Sequence, residues 1–449
     1  MKFYLESLGC ARNQIDSEIM AGRLKKAGWT VTQDPEEAET IVVNTCSFIE
    51  DAAQESIDII LELAEYKKEG ICERLVVTGC LPERYREEIL KLLPEVDVIL
   101  GTGAFEQIAK AVREPQYSNM CVLPDPDLIE LELKDVPRDL TVPHLAYLKI
   151  AEGCSKSCTY CIIPKLRGKQ KSRPPEDIVT EATRLIHSGV NELVLVAQDT
   201  TAYGNDLPIR TNLSRLMESL ANIRMDDLNR QIPPWLRVLY GHPESIENSF
   251  IEFMASNGQI CSYFDIPIQH VSPGILRHMD RRYTKDDLYR LFDRIRNQVA
   301  DAVLRTTIIV GFPGETDDDF EELLQFVEDV RFDHLGVFIY SDSDDLPSHR
   351  LPHHIPKALA TDRYHQLMST QSGISTENNR KYIGKSVKVL VEESLDNHLF
   401  AGRTSFQAPE VDGLTYINAA KMPFGLKIGR FADMRVTDTM EYDLMGELI

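Results

Sequence analysis

Cys154, Cys158 and Cys161 stand at Cys-x3-Cys-x2-Cys spacing within the stretch from Ile150 to Pro174. Three soft thiolates this close suit an iron–sulfur cluster or zinc better than any harder metal. A structural zinc takes a fourth nearby Cys or His, and none follows within the next few residues. A four-iron cluster usually has four thiolates, so three leave one iron open, and an open position is where a metal centre acts on another molecule. Cys10, Cys46 and Cys80 form a second candidate set. Each falls one to three residues beyond an expected strand, at Lys2–Ser7, Thr40–Asn44 and Arg74–Thr78. The carboxyl ends of the strands in an open parallel sheet share one edge, where ligands bind, so these three thiols are expected at a single rim. Cys72 and Cys121 follow no strand and read as packing or surface residues.

The elements that must position these thiols show in the periodicity. Up to about residue 115, those three strands and Val96–Leu100 alternate with helical patterns at Asp16–Ala27, Ala52–Tyr66, Glu83–Leu93 and Ala104–Val112. This rhythm predicts a parallel sheet with helices on its faces. Pro115 to Pro143 reads as an extended connector with an edge strand at Leu128–Leu133, because five prolines alternate there with acidic residues. From His144 to about Ile374 the alternation resumes. Strands are expected at Ala146–Ile150, Glu192–Ala197, Trp235–Tyr240, Tyr263–Ile268, Ala302–Val310 and Leu335–Tyr340. Six such units suit a (β/α) barrel, whole or partial, with chemistry on the loops after the strands. The cysteine loop follows the first strand.

Polar groups cluster at the other strand ends. Gln198 to Tyr203 follow the second strand, His242 the third, Gln269 and His270 the fourth, and Gly311-Phe312-Pro313-Gly314-Glu315 the fifth. His270 reads as a structural histidine, and Asp317 to Asp319 as a helix cap behind Thr316. Lys165, Arg167, Lys169, Lys171 and Arg173 alternate past the cysteine loop, either as a positive rim for an anionic ligand or as a solvated basic loop. From Gly384 onward, short alternating runs at Ser386–Glu392, Phe400–Thr404, Leu414–Ile417, Arg430–Thr437 and Tyr442–Leu448 predict a small antiparallel β-barrel. Acidic residues outnumber basic ones in it, whereas a nucleic-acid barrel is expected to tip positive.

The 449 residues, 43% hydrophobic and 27% charged, have ample core for two or three such domains. Forty-nine basic against 71 acidic residues give −22, a field that repels phosphate backbones and favours basic partners. Lys2 and Glu6 sit in a start lacking an apolar core, so no signal peptide is expected, and no apolar run approaches the about 20 residues of a membrane span. Nine cysteines then imply a reduced, cytoplasmic setting and metal or catalytic use.

Gly-Cys-Ser-Lys-Ser-Cys-Thr-Tyr-Cys-Ile-Ile-Pro, with Arg167-Gly168 and Ser172-Arg173-Pro174, resembles the cluster loop of radical S-adenosylmethionine (radical SAM) enzymes. Cys10, Cys46 and Cys80 narrow the resemblance to the methylthiotransferases, over essentially the whole chain. It implies a methylthiotransferase N-terminal domain (1–116), a connector (117–139), a radical SAM core (140–375) and a TRAM domain (380–449). One branch of that family modifies an adenosine in transfer RNA, the other an aspartate of the twelfth protein of the small ribosomal subunit. Ser7-Leu8-Gly9-Cys10-Ala11-Arg12-Asn13 resembles the ribosomal branch, although Pro-Lys is common there in place of Ala11-Arg12. Ala197 to Gly204, Gly402-Arg403-Thr404 and Ala408 to Gly413 are similar to that branch too, and the acidic terminal barrel suits a basic ribosomal protein better than transfer RNA.

The resemblance further implies two [4Fe–4S] clusters. One, on Cys154, Cys158 and Cys161, chelates S-adenosylmethionine, whose reductive cleavage yields a 5′-deoxyadenosyl radical that takes hydrogen from the aspartate β-carbon. The other, on Cys10, Cys46 and Cys80, presents sulfur that a second S-adenosylmethionine methylates. Gln198, Gln269, Gly311 and Glu315 are implied to line the S-adenosylmethionine pocket. A one-electron reductant and a sulfur source are implied as partners.

Overall fold

The computed structural model describes residues 1–117, 120–129, 131, 136–224, 232–419 and 426–449. Six parallel strands form the first sheet: β1 (Lys2–Ser7), β2 (Thr30–Val31), β3 (Thr40–Thr45), β4 (Arg74–Gly79), β5 (Val98–Leu100) and β6 (Met120–Val122), in the order β2-β1-β3-β4-β5-β6. All six residues of β3 are buried, as a parallel strand covered on both faces requires. Helices Ala11–Lys26 and Glu50–Glu69 make the first two long crossovers. Strand β6 comes from the segment expected to be a connector and pairs with β5, so the sheet continues past residue 116. Three residues are too few to show a period. Half of the expected strand Leu128–Leu133 lies outside the described residues, and Leu128 itself ends a 3-10 turn, Pro126–Leu128.

The central domain is an open arc of parallel strands. Between β7 (Leu145–Lys149) and β10 (Glu192–Val196), the short pair β8 (Ala151–Glu152) and β9 (Lys171–Ser172) brackets the cysteine loop. Then follow β11 (Trp235–Val238), β12 (Tyr263–Asp265), β13 (Val303–Val310) and β14 (His334–Ile339). Two three-stranded sheets, β7-β10-β11 and β12-β13-β14, meet through a parallel bridge, Leu236 to Ile260, and a hydrogen bond from Gly241 N to Asp265 O (2.8 Å). The barrel is partial. Helices such as Pro175–Ser188, Lys285–Gln298 and Asp317–Val330 pack their apolar faces on its outside. Thr316 and Asp319 form a capping box on the last of these, as the acidic run predicts.

Helix Ala11–Lys26 joins the two domains. Its Ile15 and Ile19 share one buried cluster with Phe3 and Val42 of the sheet and with Tyr147, Val194 and Val196 of the arc. The apolar face that covers the sheet therefore also fills the open side of the arc. Arg138 fastens the same contact, bonded to Glu18 on that helix and, at 2.7 Å, to Glu181 of the arc.

Strands β15 (Ser386–Ser394), β16 (Leu399–Thr404), β17 (Thr415–Asn418), β18 (Phe431–Thr439) and β19 (Leu444–Leu448) close into a barrel in the order β15-β16-β17-β19-β18. One pair, β17 with β19, is parallel, which corrects the expectation of an antiparallel barrel. Five strands cannot alternate direction all the way round a closed ring, so one pair must run together. The loop from Ser405 to Asp412 plugs the end of the arc where its strands begin. There Arg237 donates to Ser405 O (3.0 Å), Tyr263 to Asp412 Oδ2 (2.6 Å), and His334 Nε2 meets Phe406 O (2.9 Å). Arg403 of β16 and Arg237 of β11 both bind Glu192 at 2.7 Å, all three fully or almost fully buried. Replacing Arg403 by Met leaves Glu192 and Glu392 short of a counter-charge. The expected loss is about 3–5 kcal/mol in urea unfolding, and a loss below about 1 kcal/mol would contradict this account of the barrel's attachment.

Candidate metal centres and the junction between them

The loop carrying Cys154, Cys158 and Cys161 is set by backbone contacts. Gly153 has φ +80°, and a Cβ there would stand 2.2 Å from Lys169 O, so only glycine lets the two backbones pass. Cys154 N then donates to Gly168 O (3.0 Å), and Cys161 N to Cys158 O (3.1 Å). The far side is pinned by Thr159 Oγ1 on His278 O (2.7 Å) and by Arg281, which donates to the Tyr160 hydroxyl at 2.5 and 3.1 Å. Burial, then the neighbouring charges of Cys158 and Cys154, push the Cys161 thiol up to about 12. Burial raises Cys154 as well, and Asp199 and Cys158 add to it. The three sulfurs share one electrostatic site.

The other trio assembles at the carboxyl edge of the first sheet. Cys10 caps helix Ala11–Lys26, Cys46 follows β3 directly, and Cys80 follows β4 and opens helix Cys80–Tyr85. Gly9 at φ +94° lies against Cys46, and a Cβ there would stand 2.7 Å from Cys46 Cβ. Asn13 ties the turn together, donating to Leu8 O (2.9 Å) and Thr45 O (2.8 Å). Burial pushes Cys80 up to about 11; Arg167 opposes this while Cys10 and Cys46 reinforce it. Burial also works against the Cys10 thiolate. The guanidinium groups of Arg12 and Arg167 and the helix N–H groups outweigh it and hold Cys10 below the usual thiol range.

Both sets therefore place mutually interacting thiols beside buried cations, a donor set that fits iron–sulfur chemistry. No three His, Cys, Asp or Glu side chains among the described residues stand around the position of one ion. A four-iron cluster takes each thiolate on a separate iron, so its ligands stand wider apart than those of a single zinc.

Between the trios lies a buried polar junction that the reading of motifs did not contain. Lys149 bonds Asp16 (2.5 Å) and Glu152 (2.7 Å). Arg167 bonds the same two acids at 3.3 and 3.0 Å, donates to Asn13 Oδ1 (2.6 Å), and lies 3.7 Å from Cys80 Sγ. Glu152 stands two residues before Cys154, so one unbroken set of contacts runs from the early trio to the barrel loop. Arg12 reaches across as well, donating to Ala197 O (3.0 Å) and lying over the Tyr240 ring at 4.7 Å. The Lys149–Glu152 pair, three residues apart, was the only local signal.

Gln198 donates to Glu152 Oε1 (2.5 Å), and its own Oε1 is buried without a partner. Gln269, at φ +64°, likewise leaves its Oε1 buried and unpartnered. Glu315 turns inward. It accepts from Gly311 N (2.7 Å) and Phe312 N (3.2 Å), pairs with Arg363 (2.8 Å), and is pushed by burial up to about 7 despite those partners. It holds the glycine loop in shape, and Gly311 at φ +73° packs against Ala360. His270 is buried, its Nδ1 taking the Ser272 N–H (3.0 Å). The basic run does not form a rim: Arg167 and Arg173 are buried in ion pairs, while Lys165 and Lys169 remain exposed.

Replacing Gly9 by Ala forces a left-handed backbone onto a residue with a Cβ and drives that Cβ into Cys46. Destabilisation of about 1–3 kcal/mol is expected, with iron lost from the Cys10 set and kept in the Cys154 set. Equal loss from both, measured as iron per chain in this variant combined with alanines at either trio, would count against the assignment.

Three families match the chain in series: the uncharacterized protein family UPF0004 over residues 2–101, the radical SAM superfamily over 148–327, and the TRAM domain over 383–449. The ribosomal protein uS12 methylthiotransferase RimO of Clostridioides difficile is 49% identical over 451 residues, covering 100% of this chain and 99% of that protein. Its namesake from Desulfosudis oleivorans is 49% identical over 449 residues, with both chains covered completely. Among solved structures, the radical S-adenosylmethionine methyltransferase TsrM of Kitasatospora setae, with cobalamin and a [4Fe–4S] cluster bound, shares the fold. Its TM-score is 0.59 at 13% identity, over 84% of this chain and 91% of that one. The cobalamin-dependent radical enzyme OxsB, with S-adenosylmethionine bound, reaches 0.53 at 11% identity, over 83% and 56%. Similarity along its whole length to these relatives places the chain in the RimO branch of the radical SAM methylthiotransferase family.

Proposed function

We propose that the chain methylthiolates the β-carbon of an aspartate in ribosomal protein uS12, the substrate in the names of its full-length relatives. The observation that carries the reading is the junction itself: Arg167 reaches Cys80 while bonded to Glu152, two residues before Cys154. Cys154, Cys158 and Cys161 hold one [4Fe–4S] cluster, and Cys10, Cys46 and Cys80 a second. When bound, the clusters and S-adenosylmethionine supply one-electron cleavage, hydrogen abstraction and the transferred methylthio group, which acid–base side chains cannot provide.

The protein's part is to bind, orient and exclude. The unpartnered amide oxygens of Gln198 and Gln269 are acceptors for the donor groups of S-adenosylmethionine. Glu315 and Gly311 shape the wall beside them. Helix Ala11–Lys26 and the Arg138 contacts seal the arc against the first sheet, which keeps water from a reactive intermediate and limits what it meets. A one-electron reductant and a sulfur source complete the cycle. The acidic terminal barrel suits a basic ribosomal protein as partner.

Incubation of the reconstituted protein with uS12 and, separately, with transfer RNA, followed by mass analysis, tests the substrate. A methylthio adduct on the uS12 aspartate alone is expected, and an adduct on adenosine alone rejects the reading in favour of the transfer-RNA branch. In the same assay, alanine at Cys154, Cys158 and Cys161 is expected to abolish S-adenosylmethionine cleavage. Alanine at Cys10, Cys46 and Cys80 is expected to retain cleavage and yield no methylthio product. Product from the second variant would remove the early trio from sulfur transfer.

A further inference from the structure

Of the cations between the first sheet and the arc, Lys149 and Arg167 are buried and already divided between Asp16 and Glu152, whereas Arg12 is half-buried. Arg12 differs. One Nη1 hydrogen goes to Ala197 O, the guanidinium carbon stands over the Tyr240 ring, 4.7 Å from its centroid, and its Nε is buried with no hydrogen-bond partner. No Asp or Glu among the described residues lies in ion-pair contact with it, and the first charge acting on it is that of Cys10. A buried N–H without an acceptor is costly, and an arginine edge is shaped for the two oxygens of a carboxylate.

Its position is specific. Arg12 lies two residues after Cys10, its Nη1 rests on the residue before Gln198, and its guanidinium stands over an aromatic ring just beyond β11. It thus spans the gap between the sheet that carries one trio and the arc that carries the other. Resting on the functional reading above, we propose that Arg12 grips the side-chain carboxylate of the target aspartate. A single bond separates that carboxyl carbon from the β-carbon. A bidentate grip on the carboxylate therefore fixes which β-hydrogen faces the arc, something a point contact elsewhere on the substrate cannot do. It also supplies the positive charge that an incoming carboxylate needs beside Asp16 and Glu152.

The experiment uses the full-length, reconstituted protein with two uS12 peptides, one bearing the target aspartate and one asparagine in its place. The native protein is expected to bind the aspartate peptide about 10- to 100-fold more tightly, the scale of charge-assisted hydrogen bonds. Arg12→Met is expected to erase that preference while iron per chain is unchanged, and Arg12→Lys to restore part of it. Undiminished preference in Arg12→Met overturns the proposal, as does loss of iron from the Cys10 set in that variant, which makes Arg12 a counter-ion for Cys10 only. If the native protein leaves uS12 unmodified, the functional reading fails and the inference with it. Modification by the native protein combined with an intact preference in Arg12→Met overturns the inference alone.

Discussion

Two acids and two cations, Asp16 and Glu152 against Lys149 and Arg167, are buried where the first sheet meets the arc. Moving such charges out of water costs several kcal/mol each, and only close, cross-bonded geometry offsets it. Each cation contacts both acids, so no one of the four can leave without stranding the rest. This constraint fixes how the two domains face one another more sharply than apolar packing does, because a sliding hydrophobic contact loses little and a broken ion square loses much. The positions of both cysteine trios follow from it. Asp16 and Asn13 lie on the helix that Cys10 caps, while Glu152 and Arg167 flank the loop of Cys154.

The apolar packing has a different role. Helix Ala11–Lys26 presents Ile15 and Ile19 to residues of both domains, so the sheet and the arc share one core. An open arc of strands would otherwise expose the inward faces of β7 and β10. The first domain thereby serves as the missing wall of the barrel, which explains why the arc can stop short of closure. It also places the carboxyl edge of the first sheet beside the rim of the second.

The C-terminal barrel attaches at the opposite end. Glu192, Tyr263 and His334 each begin a strand, and all three contact the barrel or its Ser405–Asp412 loop. A plug there leaves the carboxyl ends of the strands, with the cysteine loop, for the chemistry. It also means that the barrel's acidic outer surface stands apart from the trios, so a substrate held by both must extend along the molecule.

Much of this was legible along the chain. Apolar periodicity located the principal strands of all three domains to within a few residues, because burial on a sheet face is written locally in side-chain alternation. The phase of Cys10, Cys46 and Cys80 against their strands told that they would share a rim, since parallel strands leave no other option. Local pattern failed where elements were too short, as at Met120–Val122, and where a topological rule acts on the whole ring, as in the one parallel pair of the terminal barrel. Arg167 and Arg173 read as members of a basic run, yet they are buried. Their counter-charges lie on other elements, and Lys149 meets Asp16 across 133 residues of sequence. The sequence by itself determined which residues could ligate metal and which faces had to be covered, because both depend on residue type and spacing. Only the tertiary structure decided which charges pair and how the two trios are joined, because those energies depend on distance through space and on exclusion of water.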